Sequence, residues 1–285
     1  MNKTEKHIVP ELLHPIRLQE YGVGIFNSAL TKSALKKAIK KELITVNGVL
    51  ASTATFIKGG ETIKISVPEI KKAKKELIFP LPVLYEDEYL AAIHKPAGIL
   101  VSGNSFKTIA NALPQNLKKS TLIDAAIPQP VHRLDYPTTG ILLTGKTSNS
   151  IRILNKLFED KKIQKTYFAI TIGKMDSKGV ITATIDGKKS KSKYKVLKTV
   201  PSKRFGNLNL VKLKPKTGRK HQLRIHLASI GNPILGDKEY GKEDLILNGK
   251  GIYLHAYSLK FTHPFTQQKL CLKNELPERF RKVIG

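Results

Sequence analysis

The sequence predicts an α+β protein whose larger part is built on a mainly antiparallel sheet. Beyond residue 80, strand-length apolar segments outnumber helical ones and do not alternate strictly with them. A doubly wound parallel sheet requires that alternation, so it fits the pattern less well. The length of 285 residues, with 40% hydrophobic residues, provides for one large domain and one small accessory domain.

Residues 12–68 are predicted to form the small domain, whose first clear element is a helix. Apolar side chains recur at helical spacing from Leu35 to Leu43, with lysines on the opposite face. Thr31 or Ser33 can cap the first turn, because a hydroxyl at that position accepts a hydrogen bond from a free backbone N–H. A module of this size is too small to be very stable alone.

Tight hairpins complete the small domain, and a basic linker follows. A predicted strand at 44–46 runs into Asn47-Gly48, the strongest two-residue signal for a β-hairpin. The alternating segment 61–65 predicts the closing strand. Residues 69–80 are rich in lysine and end at a proline, which predicts a semi-flexible, positively charged linker.

Residues 81–285 predict the large domain. A hairpin is expected around residues 86–88, and an amphipathic helix at 148–160. Further strands are predicted at 166–172, 180–185, 194–200 and 208–214, and a further helix at 219–229. Successive strands without helices between them are expected to pair as antiparallel neighbours.

The charge of the chain predicts a polyanionic partner. Fifty basic residues against 22 acidic ones give a net charge of +28, and most of the excess follows residue 70. Such a field attracts nucleic acid, the commonest intracellular polyanion. The alternative is a proteome in which lysine is simply the default surface residue. Charge alone does not distinguish RNA from DNA, or binding from catalysis.

Cysteine usage and hydropathy predict a soluble cytoplasmic protein. Cys271 is the single cysteine, so no intrachain disulfide can form and a reducing compartment is expected. The longest apolar runs have the length of strands, so neither a signal peptide nor a membrane span is expected. We expect a monomer.

The residues most suggestive of chemistry lie in segment 131–143, where a polar, charged loop immediately precedes an apolar strand. Pro137 and Gly140 are expected to fix the turn, so that Asp135 projects from a rigid edge, as a catalytic carboxylate should. An ordinary turn aspartate beside an ion-paired arginine is the alternative, and it would be favoured if the motif stood alone.

The string His132-Arg-Leu-Asp-Tyr-Pro-Thr-Thr-Gly140 resembles the signature of the RluA-type pseudouridine synthases. Other segments resemble further blocks of that family in the same order, and together they cover about residues 81–272: Glu86-Asp87, Lys95-Pro96-Ala97-Gly98, Lys165-Thr166-Tyr167, the blocks 218–228, 231–237 and 240–241, Leu254-His255-Ala256, Phe261 and His263-Pro264. Five ordered blocks are far more specific than any single motif.

The resemblance implies a pseudouridine synthase fold and a catalytic group of three residues. Asp135 matches the family's catalytic aspartate, acting as a nucleophile or an electrostatic stabiliser. Arg224 matches an active-site arginine, and a bidentate guanidinium is expected to keep Asp135 ionised. Tyr167 matches the tyrosine that packs on uracil, and Leu254 is expected to add apolar packing beneath the base. The isomerisation consumes neither electrons nor phosphate, so no metal or cofactor is expected.

Further residues are implied to contact the RNA. Arg133 matches a position that reaches into the space left when the target uridine flips out of its stack. His132, Lys165 and Arg219 lie in the matching blocks and are predicted to bind the substrate. The other histidines form no recognisable metal-binding pattern, and we interpret most of them as hydrogen-bonded scaffold.

The small domain resembles the αL-motif RNA-binding domain that precedes many catalytic domains of this family. The candidate contacts to backbone phosphates are Lys36, Lys37, Lys40 and Lys41. The chain departs from the family's usual opening segment, with Tyr21-Gly-Val-Gly-Ile-Phe26 in its place. The lysines could also form only a solvated helix face.

Two rival functions make different predictions for the sequence. A non-catalytic RNA-binding or ribosome-assembly protein on the same fold predicts loss of the catalytic residues, yet all three are present. An aspartate-dependent nuclease would gather carboxylates around a metal, but Asp135 has no acidic neighbour between Asp124 and Glu159. Large-subunit ribosomal RNA is the favoured substrate, because an accessory domain accompanies the catalytic one, and transfer RNA is the alternative.

Overall fold

The computed structural model describes residues 2–68, 77–247, 249 and 251–285. Contacts divide the chain into two compact units, Met1–Lys74 and Lys75–Gly285. Most of the predicted linker at 69–80 lies outside the described residues. No helix in the described ranges is long and apolar enough to cross a membrane.

The first unit is a small α+β unit. Its elements are β1 (Asn2–Ile8), β2 (Ile16–Arg17), α1 (Leu18–Tyr21), α2 (Lys32–Lys40), β3 (Ile44–Val46), β4 (Val49–Leu50), β5 (Phe56–Ile57) and β6 (Thr62–Pro68). One sheet has the order β1-β6-β3-β4, and β2 pairs separately with β5. Leu35 of α2 packs in the core of this unit, with Ile44 and Ile63.

The local signals for this unit are confirmed. The Thr31 hydroxyl caps α2 by accepting the Ala34 N–H at 3.1 Å. Asn47 and Gly48 join β3 to β4 with φ angles of 52° and 85°, the left-handed pair that a tight hairpin needs. Strand β1 precedes the boundary predicted at residue 12, and it pairs with β6 along its whole length. The unit therefore includes residues that the apolar pattern did not indicate.

The second unit contains one large sheet with helices packed on it. Its elements are β7 (Val83–Glu86), β8 (Leu90–Lys95), α3 (Ile109–Asn116), β9 (Ala125–Pro130), β10 (Thr139–Thr147), α4 (Ser148–Glu159), β11 (Gln164–Ile172), β12 (Lys178–Ile185), β13 (Lys188–Ser202), β14 (Gly206–Pro215), α5 (Gln222–Ser229), β15 (Leu254–Thr262), β16 (Lys269–Lys273) and α6 (Glu278–Ile284). The strands follow the order β12-β13-β14-β11-β15-β10-β8-β7, with β16 beside β15 and β9 beside β10.

The predicted fold class is confirmed, because nearly all neighbouring strands are antiparallel. The parallel exception is β10 with β15, where Thr139 pairs with His255 and Gly140 with Ala256. Two apolar cores lie on either side of this junction. One is built mainly on β7, β8, β10, α3 and α4, and the other mainly on β11 to β14, α5 and α6, while β15 contributes buried residues to both. The junction therefore joins the two halves of the unit.

Gly140 is the residue that lets β10 and β15 approach. Its φ is 120°, and a Cβ placed there would lie 2.2 Å from the Ala256 carbonyl oxygen and 2.6 Å from the Ala256 nitrogen. No side chain fits such a space without moving the backbone of β15. The predicted turn glycine is thus a glycine of close strand approach, at the first residues of β10.

We expect Gly140→Ala to lower the free energy of unfolding by more than about 3 kcal/mol, because strand separation adds to backbone strain. Urea denaturation measures the loss. Gly187→Ala is the matched control, since Gly187 has φ of 71° and no atom within 4 Å of its would-be Cβ. The control should cost only about 1–2 kcal/mol, and equal losses in the two variants would contradict the steric argument.

Candidate active site

Asp135 lies in the loop between β9 and β10, as the sequence predicted. Its carbonyl accepts the Thr138 N–H at 3.0 Å, which closes a turn just before β10 begins. The Tyr136 carbonyl accepts the Gly98 N–H at 3.0 Å and ties the loop to the segment after β8. The Asp135 side chain is 17% exposed, so its carboxylate lies in a recess rather than on an open surface.

Lys95 holds this loop from beneath, at the end of β8. Its ammonium donates to the carbonyls of Pro96 at 3.0 Å, Tyr136 at 3.1 Å and Thr138 at 2.9 Å. Burial lowers the pKa of Lys95 to about 8, although the nearby charge of Asp135 acts in the opposite direction. The sequence placed Lys95 in a family block but assigned it no role. Its three bonds fix both sides of the Asp135 turn.

Tyr167 reaches the same region from β11. Ala256 of β15 pairs with Gly140 on one side and with Tyr167 on the other, so the register brings Tyr167 beside the start of β10. Burial raises the pKa of the Tyr167 phenol, and the charge of Asp135 raises it further. The phenol therefore stays protonated at neutral pH and can donate a hydrogen bond or hold a proton.

Arg224 lies on α5, but its bidentate partner is Asp237 and not Asp135. The Arg224 Nε and Nη2 atoms each lie 2.7 Å from an Asp237 oxygen, and Nη2 lies 3.0 Å from Glu239. The expectation of a bidentate Arg224–Asp135 pair is therefore wrong. The reason is that the turn after Gly236 places the fully buried Asp237 carboxylate against the guanidinium.

Arg224 still contributes positive charge to the site. Burial by itself would lower the pKa of Arg224, but the hydrogen bonds and charge of Asp237, with the charges of Asp135 and Glu239, raise it. The guanidinium also lies 4.8 Å from the centre of the Tyr240 ring, a cation–π distance. It is a fixed, permanently charged neighbour of Asp135.

His221 approaches Asp135 directly, and the sequence did not single it out. Its Nε2 atom lies 3.8 Å from Asp135 Oδ1, while its Nδ1 atom lies 3.0 Å from the Tyr240 hydroxyl and 3.3 Å from Glu239. His221 has φ of 52°, a left-handed conformation that starts α5. The apolar pattern of residues 219–229 predicts an uninterrupted helix and does not indicate the left-handed residue at its start. The contact between His221 and Asp135 therefore depends on the tertiary structure and has no local sequence signal.

The remaining predicted contacts are less uniform. Arg133 is exposed two residues before Asp135, and its contact with RNA stays a prediction. Lys165 is half-buried, with its ammonium 3.5 Å from the Thr217 carbonyl. The Arg219 guanidinium lies 3.4 Å from the Lys189 carbonyl. Leu254 is 2% exposed and lies on the same sheet face as Tyr167, since alternate residues of β15 pair with alternate residues of β11.

His132 is held by contacts within the protein, and its contact with the substrate stays a prediction. Its Nε2 accepts the Leu143 N–H at 3.0 Å, and its ring stacks on Phe158 at 4.4 Å. Burial lowers the pKa of His132 to about 3, so the imidazole is neutral. Both its ring face and its accepting nitrogen are used within the protein.

Other histidines are buried and hydrogen-bonded, as interpreted from the sequence. His255 bonds the Thr139 hydroxyl at 2.8 Å, His226 bonds Ser190 at 2.7 Å, and His263 lies 3.1 Å from Asp87. Within the described residues, no group of three or more His, Cys, Asp or Glu side chains is arranged to hold a metal ion.

Known proteins resemble this chain along most of its length. The sequence profile of the RNA pseudouridylate synthase family matches residues 89–229. An uncharacterised RNA pseudouridine synthase of Aquifex aeolicus is 34% identical, over 90% of this chain and 89% of the relative. Ribosomal large subunit pseudouridine synthase C of Rickettsia conorii is also 34% identical, over 94% of this chain and 96% of the relative. This chain belongs to the RNA pseudouridine synthase family.

The family membership agrees with the resemblance drawn from the RluA-type motifs, and the chain is an RNA-modifying isomerase. Ribosomal large subunit pseudouridine synthase D of Nitrosomonas europaea is 30% identical, over 97% of this chain and 86% of the relative. The solved structure of human RNA pseudouridylate synthase domain containing 4 superposes with a TM-score of 0.57 at 27% identity, over 70% of this chain and 90% of that one. The pseudouridine synthase fold is confirmed.

The pKa of Lys95 makes a testable contribution to stability. The unfolded side chain has an ordinary pKa of 10.5 and the folded one a pKa of about 8, so between these values the unfolded state binds more protons. We therefore expect the unfolding free energy of the wild type to rise with pH across this window relative to Lys95→Met. The slope is at most roughly 1.4 kcal/mol per pH unit.

Urea denaturation of both proteins between pH 7 and pH 10 measures this difference, and only the wild-type-minus-variant value is interpreted, because other groups titrate equally in both. A difference that does not change with pH would show that Lys95 keeps its proton in the folded enzyme.

Proposed function

We propose that this enzyme isomerises specific uridines of large-subunit ribosomal RNA, with Asp135 as its essential carboxylate. The relatives from Rickettsia conorii and Nitrosomonas europaea are named ribosomal large subunit pseudouridine synthases, which supports the ribosomal target. The observation that supports the catalytic assignment is the recessed Asp135 carboxylate. Its charge acts to raise the pKa values of Lys95, Tyr167 and Arg224, which lie on three different elements. Charged groups that converge in this way are typical of active sites.

In the proposed reaction the bond from ribose carbon 1′ to uracil nitrogen 1 breaks, the base rotates, and carbon 1′ bonds to carbon 5. The Asp135 carboxylate either attacks the sugar or stabilises the positive charge that develops as uracil leaves. Nitrogen 1 gains a proton and carbon 5 loses one, so the reaction is balanced without an oxidant. The protonated Tyr167 phenol packs on the base and serves in this proton movement.

Arg224 and Lys95 act through charge and position. Each is already bonded to other acceptors, so each stabilises the ionised form of Asp135 without occupying its oxygens. Arg133, exposed two residues before Asp135, enters the space that the flipped uridine leaves. Lys165 and Arg219 bind the nucleotide or its neighbours near the end of β14, and Leu254 packs beneath the base.

We also propose that the first unit is an RNA-binding domain of the αL type. Lys36, Lys37, Lys40 and Lys41 are exposed, while Leu35 on the other side of α2 is buried. The ammonium groups therefore form one face that can contact backbone phosphates. We propose that the enzyme is a cytoplasmic monomer that needs neither metal nor cofactor. Transfer RNA is the alternative substrate.

We expect Asp135→Asn to abolish modification, reducing the single-turnover rate by on the order of 10⁴-fold or more, because the amide is neither a nucleophile nor an anion. Base-resolution pseudouridine mapping of RNA from deletion cells carrying each variant identifies the target and the loss. RNA affinity should survive. Asp244→Asn, at an exposed position of the same unit, is the matched control. Retained modification by the purified Asp135→Asn protein would refute the assignment.

We expect the purified enzyme to remain fully active after dialysis against EDTA and without added nucleotide, since each proton and bond in the reaction is supplied by protein and substrate. Pseudouridine formation on RNA from deletion cells, refolded in monovalent salt, measures this. A matched sample with magnesium restored controls for RNA folding. Activity that returned only with the metal, on RNA already folded, would contradict the proposal.

A further inference from the structure

A second basic surface lies on the sheet, away from Asp135. Strand β13 carries Lys191, Lys193 and Lys195 at alternate positions, so their side chains leave the same sheet face. The antiparallel register adds lysines from both neighbouring strands. The lysine ladder is defined here as Lys178, Lys191, Lys193, Lys195, Lys212 and Lys214.

The register of the ladder places like charges directly opposite each other. Lys193 pairs with Lys214, and Lys195 pairs with Lys212 on one side and with Lys178 on the other. Directly opposed like charges destabilise a sheet. The three strands β12, β13 and β14 contain no acidic residue that could offset the repulsion. The folded sheet therefore concentrates positive charge at a cost to its own stability.

Ion pairs elsewhere in the molecule do not neutralise the ladder. In the described parts of the chain, acidic partners pair with other lysines, arginines and histidines, and none pairs with a ladder lysine. Five of the six lysines are exposed, and Lys212 is half-buried. These ammonium groups are thus available to an external anion.

The opposite face of the same strands is fixed by packing. Ser190 and Ser192 alternate with the ladder lysines, are buried, and bond His226 at 2.7 Å and 3.0 Å. Gln222 of α5 adds a bond of 2.9 Å to Ser192. The strand that carries the lysines is therefore held rigidly, and the spacing of their Cα atoms is set by the sheet.

The ladder faces away from the catalytic side of the sheet. Leu213 of β14 pairs with Tyr167 on one side and with Tyr194 on the other, so these three side chains share a face. Lys212 and Lys214 flank Leu213 and therefore point to the opposite face. An RNA segment on the ladder is not the segment that enters the Asp135 recess.

The composition of the ladder selects a sugar-phosphate backbone as its ligand. Residues two apart on a strand are about 6.7 Å apart and neighbouring strands about 4.8 Å, so the Cα atoms of the ladder cover roughly 13 by 10 Å. A polyanion with one charge per nucleotide can face all six ammonium groups. Protein–protein interfaces are enriched in aromatic residues and depleted of lysine. The ladder is rich in lysine, and the β12 residues that pair with Lys193 and Lys191 are Val180 and Thr182, which are not aromatic.

We infer that the lysine ladder binds the phosphate backbone of the substrate RNA outside the target loop, as a second anchor on the far face of the sheet. The inference rests on the RNA substrate of the proposed function. Contact with phosphates offsets the like-charge repulsion and adds affinity without reading sequence. It also extends the footprint of the enzyme beyond the nucleotide that flips.

The test compares two variants with equal charge loss. The ladder variant replaces Lys191, Lys193, Lys195 and Lys214 with glutamine, and the control variant replaces Lys118, Lys260, Lys269 and Lys273, which are also exposed in the second unit. The probe is deproteinised ribosomal RNA from cells that lack the enzyme. Its Kd is measured across a salt series, together with Tm and single-turnover pseudouridine formation at saturating enzyme.

We expect the ladder variant to bind at least about tenfold more weakly and to lose roughly 3 units of its log–log salt slope, one for nearly every contact removed. Its Tm should stay equal or rise, because opposed charges are relieved, and its saturated rate should be unchanged. The control variant should keep its affinity. Equal losses in both variants, or no loss in the ladder variant, would overturn the inference.

Lysine footprinting of the wild-type enzyme tests the same inference without a variant, and therefore also applies if the ladder variant fails to fold. Reductive methylation with and without the RNA, read by mass spectrometry, should show the ladder lysines protected and Lys269 and Lys273 reactive. Ladder lysines that stay reactive in the RNA complex would overturn the inference and point to an acidic protein instead. Wild-type enzyme that binds this RNA but modifies no uridine in it would refute the ribosomal target and leave the footprint valid.

Discussion

The close contact between Gly140 and the backbone of Ala256 is the constraint on which the second unit and its candidate active site depend. It joins β10 to β15 in parallel, where two apolar cores meet at β15 and Tyr167. Asp135 belongs to the half that contains β10, whereas Tyr167 and Arg224 belong to the other half. Ala256 pairs with Gly140 on one side and with Tyr167 on the other. This single residue of β15 therefore sets the distance across the sheet between Tyr167 and the start of β10, which follows Asp135. The site exists only where the two halves meet.

The cations around Asp135 are held by acceptors other than Asp135. The Lys95 ammonium donates to three carbonyls, and Arg224 donates to Asp237 and Glu239. Among the hydrogen bonds of the described residues, none is donated to the Asp135 carboxylate. If the arginine fork engaged Asp135, the two carboxylate oxygens would be occupied and less available to a substrate. The observed arrangement supplies positive potential while the carboxylate stays available. Fixed charges of this kind need no reorganisation during the reaction.

The sequence predicted the elements that have local signals. The Thr31 cap, the Asn47-Gly48 hairpin and the helix at 148–160 were all confirmed, because each is specified by neighbouring residues. Helix α3 was missed because Pro114 interrupts its pattern. Asp135, Tyr167 and Arg224 were predicted as site residues through family motifs, and the structure places them on three elements whose charges act on one another. The Arg224–Asp237 fork and the His221 contact could not be found, since both depend on how distant turns meet in three dimensions.

The charge of the chain is also better understood on the folded sheet. From the sequence alone, the lysines of residues 188–198 could serve only to keep the surface hydrated, a role that does not depend on their exact positions. On β13 their period of two is the period of a strand, and Ser190 and Ser192 fill the alternate positions with buried hydrogen bonds. Solubility does not require Lys193 to lie directly opposite Lys214, where the two like charges repel each other. The register converts a compositional excess into a defined array of positive charges on one sheet face.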